Sequence, residues 1–413
     1  MFTLNVIAAR QLDRTGFAQV SFALVLGQIG MVLASAGLDV SASRAIGHER
    51  RRATAFATTA IAISLPIALI VGALTVVLAP LLGSVFAVDP AVLILSGILG
   101  SILGVRLVTE RTCAALGLLR AQLFIKLVEG MCIVVLAGVM LLALDSGWRG
   151  GVFAVGFAAL TAVAIYLVVM RSTLRSRTID RATARDLVPY ARYAFAWSLL
   201  IVGLSYGDKV VMMRGAGPEE FAVYAAYYAG TIMVAGQAII VLQNVLIPRA
   251  ADPKLRRALL SELDRRAWVI PPALALIGAA VLGTVLTLFG PNYPIQAGRF
   301  ALFVAWWVVF CRNAVMSTIV IASSRRAYRS QLRFTFMRVA ATIFAFTALL
   351  VGGWVGFVSV ASTMLAIELA ETINLRRLRK RYLEADSSVG DGAVADQPSE
   401  LSDRSMTGDP HGG

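Results

Sequence analysis

The residues of this chain that could do chemistry are ionisable and amide side chains set inside long apolar runs. Arg312 is the sharpest case, standing beside Asn313 near the middle of the hydrophobic stretch 299–321. An arginine at the centre of a bilayer costs about 2.5–3.5 kcal/mol on insertion scales, so it must face protein or water. Arg106 has Glu110 one turn further on, on the same helical face, and Glu129 occupies a neighbouring apolar run. Asp208 and Lys209 fall together in the outer part of 188–212. Gln237 and Asn244 are seven residues apart and share a helical face, with Gln243 adjacent. Each group has two readings: the wall of a polar path, or one partner of a buried pair. For Glu129 the choice is between coupling to a proton or other cation and a salt bridge to Lys126 or Arg106. Glu368 and Glu371 lie within two turns of the RRLRKR segment at 376–381, which predicts pairing with it.

Bond-breaking chemistry has little to build on. No phosphate-binding loop or paired-carboxylate motif is present, which excludes an autonomous ATPase. His48 and His411 are the only histidines, and Cys113, Cys132 and Cys311 lie in or beside apolar segments. Neither a metal centre nor a disulfide framework is expected, and no cofactor.

Of 413 residues, 58% are hydrophobic and 15% charged, against about 25% charged in an ordinary soluble domain. One aqueous core cannot bury that much apolar surface. The bilayer must be the solvent. Runs of about 20 apolar residues give eleven spans, at 17–38, 54–79, 90–112, 122–144, 150–170, 188–212, 219–247, 267–289, 299–321, 337–352 and 353–374. The last two are separated by a tight Gly352-Gly353-Trp354 turn. The net charge of +14 does not indicate a nucleic-acid partner, because the basic residues sit in short clusters between spans. One alternating set of loops holds 28 of them, Arg325, Arg326, Arg329, Arg333 and Arg338 included; the other holds Arg10, Arg14, Arg149, Arg214 and Arg299. The positive-inside rule makes the first set and the C-terminus cytoplasmic.

Residues 6–23 align without gaps to 210–227, with Arg10 on Arg214, Phe17 on Phe221 and Ala18 on Ala222. Duplication follows. The expectation is an all-α polytopic membrane protein of two pseudo-symmetric six-helix bundles, 1–187 and 188–382, followed by a disordered cytoplasmic tail, 383–413. Eleven spans are complete, and the first helix, matching 188–209, is expected to lack roughly 15–20 residues upstream of Met1, at one residue per 1.5 Å. Two such bundles with a path between them form a transporter plan.

Four stretches carry a family resemblance: IAARQLDRTGF, ASAGLDVSASRAIG, YGDKVVMMRGAGPEEFAVYAA and VLIPRA. They resemble the polysaccharide flippases of the multidrug/oligosaccharidyl-lipid/polysaccharide exporter superfamily, over residues 1 to 375. The chain departs from the family at its amino end, and has Leu12-Asp13-Arg14 where a Leu-Gly-Pro type of turn is usual. The resemblance implies two lobes around a central cavity in a cytoplasmic membrane. It implies movement of an undecaprenyl-pyrophosphate-linked oligosaccharide from the cytoplasmic to the outer leaflet, with membrane lipids, glycosyltransferases and a polysaccharide polymerase as partners. Arg10 and Arg44 match family basic positions, where they either meet the diphosphate or anchor helix ends; an acidic residue matches Asp208. On this reading the substrate-binding set is Arg312, Arg106, Asp208, Lys209, Arg10, Arg44, Gln237 and Asn244, with Glu129 for a coupling ion. A cation- or proton-coupled drug exporter is the first alternative. A membrane polymerase or glycosyltransferase is the second, disfavoured by short outer loops.

Overall fold

The computed structural model describes residues 2–174, 181–323 and 325–384. Its helices in chain order are α1 (Phe2–Gln11), α2 (Arg14–Ser35), α3 (Leu38–His48), α4 (Ala53–Phe86), α5 (Pro90–Ala115), α6 (Leu119–Gly138), α7 (Gly147–Val169) and α8 (Arg171–Leu174). There follow α9 (Arg181–Gly215), α10 (Pro218–Tyr228), α11 (Val234–Ala251), α12 (Pro253–Arg265), α13 (Ile270–Phe289), α14 (Ala297–Ser323), α15 (Arg325–Val351) and α16 (Phe357–Arg379). Among the described residues there is no strand, and eleven helical stretches are long and apolar enough to cross a membrane. The tail expected from 383 onward lies, but for its first two residues, outside the described residues.

The helix starts follow local chemistry. Asp13 caps α2 by accepting the Gly16 N–H at 2.7 Å, and Asp89 caps α5 by accepting that of Ala91 at 2.8 Å, with Pro90 in the first turn. The turn expected at 352–354 is present, with Gly353 at φ +68° between α15 and α16. One pair of helix breaks recurs at the displacement of the aligned segments. α1 ends at Gln11 and α2 begins at Arg14; α9 ends at Gly215 and α10 begins at Pro218, each 204 residues after its counterpart. Phe17 and Phe221, paired by the repeat, are both fully buried.

The helices gather into two lobes. α2 to α7 pack mainly on one another around α5, and α11 to α16 around α14, while α10 packs most on α2 and α1 reaches α13 as well as α2 and α6. In the first lobe α2 and α5 approach closely: a Cβ on Gly100 would stand 2.8 Å from the Gly30 Cα, the small-residue contact typical of helices in lipid. α9 belongs to both. It packs on α2, α3 and α4 of the first lobe and on α10, α15 and α16 of the second.

Three sequence expectations need correction. The Arg-rich stretch before 337 is not a loop: α15 begins at Arg325, so Arg338 lies thirteen residues from either end of a continuous helix. Glu368 and Glu371 do not pair with the RRLRKR segment; their partner is Arg338. The connections after the first and seventh spans each contain an amphipathic helix, α3 and α12, whose apolar residues were too few to read as spans. Below, the face carrying α3, α8 and α12 is the basic face, and the other, at 11–14 and 289–297, the opposite face.

Candidate functional site

A cavity of about 620 Å³ lies between the lobes, within the usual range for small-molecule sites. Asn5 from α1 and Ser21 and Gln28 from α2 form its first-lobe wall. Ser205, Tyr206 and Lys209 from α9, Tyr228 from α10, Gln237 from α11, Trp306 and Phe310 from α14, Arg338 from α15 and Glu368 from α16 form the other.

Two charge clusters stand in the second-lobe wall. Lys209, 4% exposed, donates from Nζ to Asp208 Oδ1 at 3.0 Å and to the Ser205 carbonyl at 2.7 Å. Its ammonium lies 3.4 Å from the centre of the Tyr228 ring, a cation–π contact strengthened by burial. Tyr224 donates its hydroxyl to Asp208 Oδ2 at 2.6 Å. In the second cluster Arg338 reaches Glu368 at 2.8 Å and Glu371 at 3.0 Å. Asn313 donates to Glu368 Oε2 at 2.9 Å, and the amide of Gln331 donates to Glu371. The pairs are possible because α15 and α16 lie side by side and Arg338 and Glu368 are both central in their helices. Buried charges in lipid need such partners.

The cavity is closed toward the opposite face. Arg10 Nε donates to the Leu288 carbonyl at 2.7 Å, and Arg14 Nε to that of Asn292 at 2.9 Å. Leu288 is in the last turn of α13, where carbonyls lack helical donors and attract cations. Behind these arginines Phe17 meets Phe289 and Tyr293 edge-on, with centroids 5.7 and 5.4 Å apart, and Phe22 meets Phe221 at 5.8 Å. Toward the basic face the lobes part: the close packing of α2 on α10 is not continued along α11. Val241, Leu242 and Val245 on α11 are exposed there.

The expected site residues distribute unevenly. Lys209 and Gln237 line the cavity, and Asp208 holds Lys209 from behind. Arg10 is exposed and joins the lobes at the opposite face. Arg44 lies on the basic face with its guanidinium 4.1 Å from the Tyr190 ring centre. Arg106 bridges Glu129 at 2.7 Å and Glu110 at 3.1 Å inside the first lobe, and Lys126 reaches Glu110 at 2.6 Å. Neither Arg106 nor Glu129 lines the cavity. Arg312 is exposed on α14, outside the cavity wall, whereas its neighbour Asn313 is buried and bonded to Glu368. Asn244 is on α11, with its side chain outside the described residues. Sequence reasoning missed Arg338 because its four upstream arginine neighbours read as a loop. The usable signal was Glu368 inside the apolar run 353–374, a carboxylate that requires a cation opposite.

A family model described as polysaccharide biosynthesis protein matches residues 1–252. A comparison with curated proteins gave no match. Among solved structures, the chain is similar to an inward-facing multidrug resistance MATE family transporter of the MOP superfamily, with 15% identity, TM-score 0.74 and 94% of each chain covered. An outward-facing transporter of that family gives 14% identity and TM-score 0.55, over 93% of this chain and 96% of that one. A MOP superfamily transporter from Pyrococcus furiosus, described as having a binding pocket of reverse polarity, gives 15% and 0.55, over 91% and 97%.

Proposed function

The chain belongs to the polysaccharide biosynthesis protein family, and from that premise we propose that it moves a lipid-linked oligosaccharide across the cytoplasmic membrane. The observation that carries this reading is the cavity between the lobes, a largely apolar pocket with amide, hydroxyl and charged side chains set in its wall, open toward the basic face and closed at the opposite one. A sugar diphosphate headgroup cannot cross hydrocarbon unaided, since each polar group stripped of water costs several kcal/mol. Polar side chains in the cavity wall, Gln28, Gln237 and Lys209 among them, lower that barrier while the prenyl tail stays in lipid. No bond is made or broken. The basic face is cytoplasmic on the positive-inside argument, so the cavity faces the leaflet where glycosyltransferases would assemble the substrate, and a polymerase would take it up outside.

In this reading Lys209 and Gln237 contact the headgroup and Asp208 positions Lys209. Arg10 acts in closure and not in binding, while Arg106 and Glu129 brace the first lobe. Loss of the gene is expected to trap lipid-linked repeat units on the inner leaflet, measured by leaflet-specific labelling of extracted glycolipids. Normal surface glycan with no trapped intermediate would defeat the reading. One observation favours a drug exporter as second reading: Glu368 stands in the wall among aromatic rings, a setting that also suits organic cations. Resistance to such cations, lost with the gene while glycans stay normal, would favour it.

A further inference from the structure

We infer that this cavity recognises the sugar part of its cargo through uncharged amides and aromatic faces, with the diphosphate left as a secondary contact; this rests on the reading above. Each cation in the wall already has a carboxylate partner. Lys209 is held by Asp208, and Arg338 by Glu368 and Glu371. A phosphate oxygen could take either cation only by displacing a buried carboxylate, which would leave that carboxylate uncompensated in a low-dielectric wall.

The groups without internal partners are neutral. Gln28 from one lobe and Gln237 from the other line the cavity, and among the described residues neither side chain makes a hydrogen bond within the protein. Each amide offers two donors and a two-lone-pair acceptor in a plane, which matches adjacent hydroxyls on a sugar ring. Beside them stand the rings of Tyr206, Tyr228 and Phe310. Flat aromatic faces cover the C–H face that a pyranose presents on its apolar side. Because the two glutamines come from different lobes, a sugar bridging them also reports whether the lobes are together or apart.

The test uses full-length protein in detergent and soluble probes. Neutral and N-acetylated oligosaccharides without phosphate are compared with inorganic pyrophosphate by saturable thermal stabilisation. At least one oligosaccharide is expected to bind, with Gln28→Ala and Gln237→Ala each weakening it by about tenfold, the scale of one or two lost hydrogen bonds. Pyrophosphate is expected to neither stabilise nor compete. Saturable pyrophosphate binding without any sugar binding, sugar binding indifferent to both substitutions, or no sugar binding at all would overturn the inference. Because both amides lack partners, their removal should leave the unliganded melting temperature unchanged, separating lost binding from lost folding. Trapped lipid-linked units in the deletion strain would keep the transport reading standing even if the sugar site failed.

Discussion

At the residue scale, the informative side chain is Arg338. It is 15% exposed and flanked by carboxylates of 10% and 3% exposure. Removing it leaves Glu368 and Glu371 facing each other without a cation. Arg338→Ala is therefore expected to cost about 3–5 kcal/mol of stability, read as a lowered melting temperature in detergent, and Arg338→Ala with Glu371→Gln should recover part of the loss. Asp39 supplies a pH-dependent counterpart outside the spans. Burial raises its carboxyl above the ordinary value, against opposing contributions from the Val40 N–H and the Arg111 charge. A raised value means the folded state holds the proton more tightly than the unfolded one. Its stabilising contribution is then complete below the unfolded value of about 3.9 and lost as pH rises through the folded one. Asp39→Asn, which mimics the protonated form, should raise the melting temperature at neutral pH, with the gain shrinking toward pH 4. An equal gain at both would show that charge is not the cause. Lys209 and Gln237 were legible in the sequence as polar groups inside spans. The pairing of Arg106 with Glu129 was legible only as one of two options, since spacing along one helix says nothing of which neighbour faces it.

At the element scale, α9 ties the lobes together. Ser41 donates to the Leu187 carbonyl at 2.8 Å, Arg52 reaches Asp186 at 3.0 Å, and further along the same helix Asp208 receives Tyr224. Gly37 allows the first of these contacts. Its φ is +73°, and a Cβ there would stand 2.6 Å from the Phe195 nitrogen, with the Ala191 carbonyl closer still. Gly37→Ala should cost about 1–3 kcal/mol in backbone strain alone, with lower yield of folded protein as the readout; wild-type yield and melting temperature would contradict the packing. The spans themselves were legible because runs of about 20 apolar residues have no other explanation. The start of α15 was not. Arg325, Arg329 and Arg333 recur at one-turn spacing, which a helix carries on one wet face as readily as a loop does. α12 was hidden for the converse reason: Leu259, Leu260 and Leu263 are partly or fully buried, but too few apolar residues surround them to register as a span.

At the scale of the whole molecule, the repeat read from residues 6–23 and 210–227 carried most of the architecture, since the two helix breaks it paired recur at one displacement. The cavity was legible only as a plan, because which faces of two bundles meet depends on contacts far apart in sequence. Transport requires that the opposite face open, and what holds it closed joins α1 and α2 to α10, α13 and the segment after α13: two arginines on carbonyls, the rings of Phe17, Phe289 and Tyr293, and the Phe22–Phe221 pair. Replacing Arg10 and Arg14 together by Ala should shift the protein toward the open form, seen as faster labelling of a Cys placed at Gln237 from the opposite face. The most direct measurement is a cross-link between Phe17→Cys and Tyr293→Cys in a protein whose three native cysteines are replaced by serine. With the bridge formed, movement of lipid-linked oligosaccharide across the membrane is predicted to stop, and reductant is predicted to restore it. Undiminished transport by the bridged protein would contradict a path that opens between the lobes.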